Sequence, residues 1–112
     1  MNLNDITLGQ AKELAAMLGN TSSSTAAHPY TVGEKYAIRT VTMIYVGELI
    51  AVYKDELVLK TCAWVADTGR FHDFLKSGTV NEVEPMPGNV IIGRGGIIDC
   101  AVWSHKMLTE QK

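Results

Sequence analysis

The chain has 112 residues, of which 46% are hydrophobic and 20% are charged, and its formal net charge is −2. This composition argues against a disordered chain and is typical of a globular protein with one domain. A domain of this length buries roughly two-thirds of the surface of its unfolded chain, so it can fold without disulfides. The small negative charge argues against binding of nucleic acid or an acidic membrane over the whole surface and leaves room only for a local basic patch.

The first segment, residues 1–29, predicts a helix followed by a flexible linker. Thr7 and Gln10 have the spacing of a capping box, and Gly19-Asn20 supplies a stop signal. A helix of about three turns is too short to be stable alone, so we expect its apolar stripe to dock on the body of the protein or on a neighbouring subunit. The stripe consists of Leu8, Ala11, Leu14, Ala15 and Leu18.

The next part of the chain, residues 30–65, predicts strands because it is rich in Val, Ile, Thr and Tyr. Short loops between the strands indicate an antiparallel meander. The turn candidates are Gly47 and residues 54–56, and Gly47 could instead be a bulge that lets a strongly bent strand pass. The three strands are expected at roughly 35–45, 47–53 and 57–65.

The second half of the chain predicts further strands. Residues 79–85 predict a fourth strand, and residues 86–89, "MPGN", predict a turn. Residues 90–103 predict one long bent strand or two short ones, hinged at the glycine-rich stretch 93–96. A small antiparallel sheet that must bury one face usually closes into a barrel.

A short helix is expected between the third and fourth strands, in "AWVADTGRFHDFLKSG". Asp67 can cap a helix that runs from Arg70 to Lys76 and ends at Gly78. His72 lies on the outer face of that helix. The buried face consists of Phe71, Phe74 and Leu75.

These elements predict a mainly β fold. It is a small, strongly bent antiparallel barrel of five to six strands, with an N-terminal helix and a short helix inserted between strands 3 and 4. The barrel domain spans residues 30–104. The tail, residues 105–112, is polar and is expected to fray.

The run from Tyr36 to Val65 resembles the first half of an Sm/Hfq-like barrel, with Gly47 and Asp55 at the matching places. The stretch "VIIGRGGII" is similar to a short motif in the second half, and Sm-like chains also start with a helix. An SH3-like barrel would have the same rhythm. The Sm resemblance implies an oligomer, including a ring closed by paired strand edges, with RNA near the loop between strands 3 and 4.

Four short stretches, "RTVTM", "AWVADTGRF", "TVNEVEP" and "GRGGIIDC", resemble a family of small uncharacterised proteins of tailed phages and prophages. That family is a domain of unknown function. The resemblance covers most of the chain. It implies a phage origin and a place of action in the host cytoplasm, and it implies nothing about activity.

The candidate ligand-binding residues centre on the three arginines of the chain, Arg39, Arg70 and Arg94. Guanidinium groups suit a phosphate or nucleotide, and Trp64 or Tyr36 would supply a stacking platform. Asp67 and His72 complete this candidate set. The alternative is that each arginine pairs with Asp67, Asp99 or a glutamate, within the chain or across a subunit boundary.

No motif indicates an enzyme, a metal site or a cofactor. The two cysteines, Cys62 and Cys100, are expected to be reduced thiols, and Cys62 in an apolar strand is expected to be inert. Without a signal peptide or a membrane-spanning run, the expected location is the cytoplasm. The leading hypothesis is a non-enzymatic oligomeric barrel that binds nucleic acid or a nucleotide-like ligand. The alternative is a structural or protein-interaction component of a phage particle or of phage–host interaction.

Overall fold

Six strands and one short helix follow one another in the computed structural model, which describes residues 28–112. The N-terminal helix predicted from Thr7 lies outside the described residues, as does most of the predicted linker. The described elements are β1 (Lys35–Thr40), β2 (Ile44–Val52), β3 (Glu56–Asp67), α1 (Phe71–Ser77), β4 (Glu82–Pro85), β5 (Val90–Gly93), a 3-10 turn (Arg94–Gly96) and β6 (Ile97–Val102).

The strands form one antiparallel sheet in the order β4-β3-β2-β1-β6. The long strand β3 uses one edge for β2 and the other for two strands. It pairs with β5 through Glu56–Leu59 and with β4 through Ala63–Asp67. The predicted mainly β antiparallel fold with a helix between strands 3 and 4 is confirmed. The sheet does not close on itself, so the predicted barrel is not confirmed.

The sheet bends at the point where the pairing of β3 with β2 shifts register. Between the pairs that β3 makes with Val46 and with Glu48, the register shifts, and Thr61 on β3 has a positive φ of 49°. Such a bulge bends a strand and increases its twist. Gly47 lies opposite, and an added Cβ there would come within 3.1 Å of the Leu59 Cβ and 3.2 Å of the Cys62 Cβ. Gly47 therefore makes room for the bend.

The turn predicted at Gly47 is consequently wrong, and the alternative prediction of a bulge at Gly47 is correct only in part, because the extra residue lies opposite Gly47 on β3. The chain turns earlier, at residues 41–43, where the Thr40 N–H donates to the Met43 carbonyl at 2.7 Å. Thr42 has a positive φ of 77°. The predicted turn at residues 54–56 is confirmed by a 2.8 Å hydrogen bond from the Tyr53 N–H to the Glu56 carbonyl. Residues 90–103 form two short strands rather than one long strand.

Helix α1 packs its apolar face on one side of the sheet, as predicted. Gly78 ends the helix with a φ of 77°, and its N–H donates to the Phe74 carbonyl at 2.9 Å. Phe74 is fully buried, and its ring lies 4.9 Å from that of Trp103. The buried cluster on this side contains Ala37, Val46, Ala63, Val65, Phe74, Val80, Val83 and Trp103.

The tail does not fray, so that prediction is wrong. Met107 and Leu108 pack against the buried cluster, and the His105 Nε2 lies 2.8 Å from the Leu75 carbonyl oxygen. The N–H and carbonyl of Lys112 are both hydrogen-bonded to Val83 at 3.0 Å. Apolar contacts at a few positions outweigh the polar composition of this segment.

The Gly78→Ala substitution is expected to lower the free energy of unfolding by about 2–4 kcal/mol. The left-handed backbone at this position disfavours an L side chain, and the new methyl group would lie 2.7 Å from the His105 Cγ. Urea unfolding measures the change. The matched control is Gly95→Ala, because Gly95 has open space around it and no left-handed φ. Equal unfolding midpoints for the two variants would contradict this account.

Candidate functional site

The six candidate residues lie on four different elements. Arg39 is on β1, Trp64 and Asp67 are on β3, Arg70 and His72 are at the start of α1, and Arg94 is in the 3-10 turn. A side chain that already forms hydrogen bonds or an ion pair within the described part of the chain is less available to a ligand.

The Arg39 side chain forms an ion pair and a ring contact within the chain. Its guanidinium group donates to both carboxylate oxygens of Asp99, with Nε 2.9 Å from Oδ1. The two residues are directly opposite each other in the β1–β6 register. The guanidinium also lies over the ring of Phe71, 4.8 Å from its centroid. The side-chain hydrogen bonds from Arg39, followed by its charge, lower the pKa of the Asp99 carboxyl.

The Arg94 side chain also forms hydrogen bonds within the chain. Its Nη1 donates to the carbonyl oxygens of Tyr53 at 2.7 Å and Lys54 at 3.2 Å. Its backbone N–H donates to the Asp55 carbonyl at 2.8 Å. Arg94 thus joins the 3-10 turn to the turn between β2 and β3, which gives it a structural role.

Arg70 and His72 are exposed at the start of α1. Within residues 28–112 the Arg70 side chain forms no ion pair, and only its carbonyl is engaged, by the Phe74 N–H at 3.0 Å. Asp67 accepts a 2.8 Å hydrogen bond from the Gly69 N–H and so stabilises the turn before the helix. It does not cap the helix itself, because the N-cap position is Arg70 and has no side-chain cap.

The two aromatic residues proposed as stacking platforms differ in exposure. Trp64 is half-buried on β3, where it faces Tyr45 on β2 and Glu84 on β4. Tyr36 is only 6% exposed, and its hydroxyl accepts a hydrogen bond from the Thr31 N–H at 2.9 Å. Tyr36 therefore offers no face to a ligand.

Two of the open clefts among the described residues lie elsewhere. One of about 350 Å³ has an uncharged lining and lies between the β1–β2 turn and the 3-10 turn, with Tyr45 and Ile92 among its walls. The other, of about 380 Å³, lies beneath the tail beside Val80 and Val83. None of the six candidate residues lines either cleft, so neither cleft joins the arginines into one site.

The sequence predicted exposed strand edges only in general terms, through the resemblance to Sm-like rings, and the structure shows which strands provide them. Among the described strands, none pairs with the outer edge of β6 or of β5. Each of these edges carries a prominent apolar side chain, Ile98 at 60% and Ile91 at 69% exposure, and β6 adds Val102 at 57%. The runs "VIIG" and "IIDCAV" were the available sequence signal.

The outer edge of β4 is organised in the opposite way. Glu82 and Glu84 are exposed on either side of Val83, and Pro85 has no N–H to offer. The backbone groups of Val83 are occupied by Lys112. Charge, proline and a covering segment are the usual protections of an edge strand. Among the described residues, the outer edges of β6 and β5 lack these protections, whereas that of β4 has all three.

Other features of the described residues bear on chemistry. Burial raises the pKa of the Cys62 thiol to about 12, which keeps it in the unreactive protonated form. No group of three or more His, Cys, Asp or Glu side chains in residues 28–112 is arranged to hold a metal ion. Over the same residues, no helix is long and apolar enough to cross a membrane.

A comparison with protein-family models finds no model that matches the chain, and a comparison with curated proteins finds no match either.

A double-mutant cycle of Arg39→Gln and Asp99→Asn tests the ion pair between β1 and β6. The folded-state pKa of Asp99 is depressed, so the contribution of the pair to stability is present above the unfolded-state pKa of about 3.9. It is lost as the pH falls through the folded-state pKa. We expect a small favourable coupling energy at neutral pH, as for exposed pairs, that disappears on acidification. Urea unfolding at a series of pH values measures it, and a coupling that grows in acid would contradict the assignment.

Proposed function

We propose that the protein is a non-enzymatic, self-associating small β protein that serves as an interaction component of a larger assembly. The observation that carries this proposal is the outer edge of β6, with which no other strand pairs among residues 28–112. A phage origin, and action in the host cytoplasm, follow from the family resemblance and belong to the same proposal.

The residues of β6 favour an edge that pairs with another chain over an edge that is protected from such pairing. Exposed edge strands of soluble proteins usually carry a lysine, a proline or an unpaired charge that blocks pairing with another chain. In β6 the only charged residue is Asp99, and Arg39 already neutralises it. The bulge next to Thr40 is the one protective feature.

The fold supports the finer proposal of an Sm-like or SH3-like barrel. The 3-10 turn connects β5 to β6 with only three residues, Arg94–Gly96, although these strands pair at opposite ends of the sheet order. The bulge at Thr61 supplies the bend that such a short connection needs. Two modes of assembly follow: β6 on β6 about a two-fold axis, or β5 on β6 in a ring of the Sm type.

A second candidate function is binding of a single-stranded nucleic acid or nucleotide at Arg70 and His72. The observation that favours it is the exposed guanidinium of Arg70, which has no ion pair within the described residues. Arg39 lies over the ring of Phe71, the residue that follows Arg70, and its positive charge is partly neutralised by Asp99. The internal roles of Arg39 and Arg94 leave this candidate with fewer ligand-binding groups than the sequence indicated.

Self-association predicts that the Ile98→Lys variant has a lower mass in solution than the unchanged protein. A lysine on β6 places a charge where a second strand would pair, and desolvating it opposes association. Light scattering coupled to size-exclusion chromatography measures the mass. We expect an oligomer for the unchanged protein and a monomer for the variant at the same concentration.

The matched control is Val32→Lys, because Val32 is 57% exposed but lies in the turn before β1. This variant should keep the mass of the unchanged protein. If the unchanged protein is a monomer, the proposed function is wrong. If both lysine substitutions lower the mass in solution equally, β6 is not the surface through which the protein associates.

The nucleic-acid candidate predicts that Arg70→Ala weakens binding of a fluorescent single-stranded RNA about tenfold, as expected for the loss of a charge-assisted hydrogen bond of roughly 1.5 kcal/mol. Fluorescence anisotropy measures the affinity at fixed salt concentration, with Lys54→Ala as a control for general charge. Purified protein should also show excess absorbance at 260 nm. Unchanged affinity in Arg70→Ala would rule out this candidate.

A further inference from the structure

We infer that the cleft between the β1–β2 turn and the 3-10 turn binds a small uncharged aromatic molecule, which lies against the ring of Tyr45 and the bare backbone of Gly93 and Gly96. The cleft has a volume of about 350 Å³, within the range of roughly 300–1,000 Å³ that ligand sites occupy. This inference goes beyond the proposed function and does not depend on self-association, because a single chain contains the whole cleft.

The two glycines that line the cleft are not required by the local fold. Glycine is usually needed where φ is positive or where a Cβ would collide with a neighbouring atom. Gly93 has a φ of −70° and a ψ of 128°, an extended conformation that other residues adopt, and Gly96 has no left-handed φ. A Cβ added at either position would meet no atom of the described residues within 4 Å. A glycine with neither of these reasons can mark a place where a ligand approaches the backbone closely.

Tyr45 supplies the aromatic wall of the cleft. It is half-buried on β2 and lies opposite Ile38 on β1 and Trp64 on β3, so its ring is held within the sheet. Within residues 28–112 its hydroxyl group forms no hydrogen bond. Tyr45 therefore offers a ligand both an aromatic surface and one hydrogen bond.

The rim of the cleft is apolar and exposed. Ile91, at 69%, and Val41, at 67%, are the two most exposed large hydrophobic side chains of the described residues, and both line this cleft. Ile92, which is only 5% exposed, also lines it. A ligand in the cleft would remove part of this apolar surface from water, which favours binding.

Charge decides the class of ligand. Among the described residues, those that line the cleft are all uncharged. Arg94 lies between the two glycines in the chain, but its Nη1 donates to the carbonyl oxygens of Tyr53 and Lys54. An anion would lose water on entering the cleft without gaining a counter-charge there, which is costly. The cleft therefore favours an uncharged ring, which distinguishes it from the nucleic-acid candidate at Arg70.

The test is a calorimetric titration of the full chain with 2-naphthol, a small uncharged aromatic molecule with one hydroxyl group. We expect saturable binding to the unchanged protein. Gly93→Ala and Gly96→Ala each add a methyl group to the lining of the cleft and should weaken binding about tenfold, as for one extra methylene in a pocket. Neither variant should lower the urea unfolding midpoint, because the new methyl group meets no other atom.

The matched control is Gly95→Ala. Gly95 belongs to the same turn and has the same open space around it, but it does not line the cleft. This variant should keep the affinity of the unchanged protein. Tyr45→Leu removes the aromatic wall and should weaken binding roughly fivefold, as for the loss of an aromatic pair.

A charged analogue tests the class of ligand. The anion 2-naphthoate has the same two rings and should bind more weakly than 2-naphthol. Binding of 2-naphthoate that is equal or tighter overturns the choice of an uncharged ligand. The site itself is overturned if 2-naphthol does not bind saturably, or if all three glycine variants weaken its binding equally. These titrations are read separately from the mass in solution, so the inference and the proposed function can fail independently.

Discussion

The bend at Thr61, packed against Gly47, is the constraint on which the rest of the structure depends. A straight β3 of twelve residues would offer one continuous edge to a single partner. The bulge divides that edge, so that β5 pairs before it and β4 pairs after it. Because β5 and β4 follow each other along the chain, the turn at residues 86–89 lies beside the bulge, where the Met86 N–H reaches the Cys62 carbonyl at 2.8 Å.

This division decides how each edge of the sheet is finished. The β4 half of the edge meets the returning tail, and Lys112 takes up the hydrogen-bonding groups of Val83. The tail passes close to α1 before it reaches Val83, because Trp103 at its start packs on Phe74. The tail that closes β4 starts directly after β6, so it leaves the outer edge of β6 uncovered among the described residues. Protection of one side and exposure of the other thus have a common structural origin.

Local patterns in the sequence predicted the local structure well. The spacing of Phe71, Phe74 and Leu75, followed by Gly78, predicted α1 and its buried face because both signals act within two turns of a helix. Gly47 was ambiguous, since a glycine in a strand pattern is compatible with a turn or with a close approach of backbone. The Leu59 and Cys62 side chains that settle the question belong to another strand, and a single stretch of sequence does not contain them.

The candidate site was less predictable for the same reason. An arginine in a strand gives the same sequence pattern whether its side chain binds a phosphate or pairs with an aspartate sixty residues later in the chain. Arg39 has Asp99 opposite because β1 pairs with β6 in one particular register, and Arg94 reaches the β2–β3 turn because the 3-10 turn folds back onto it. Of the three arginines, Arg70 is the one whose side chain forms no ion pair or hydrogen bond within the described residues, and His72 keeps the exposed position that the helix pattern implied.

Asp99 shows how one residue can bear on both stability and association. Its carboxylate pairs with Arg39 inside the chain, which offsets the charge that would otherwise oppose pairing of β6 with another strand. If two copies associate through β6, as proposed, the same carboxylate disfavours an arrangement that brings the two Asp99 residues face to face, because like charges opposite each other in neighbouring strands are destabilising. One side chain therefore bears on the β1–β6 contact within the chain and on the contacts that β6 can make outside it.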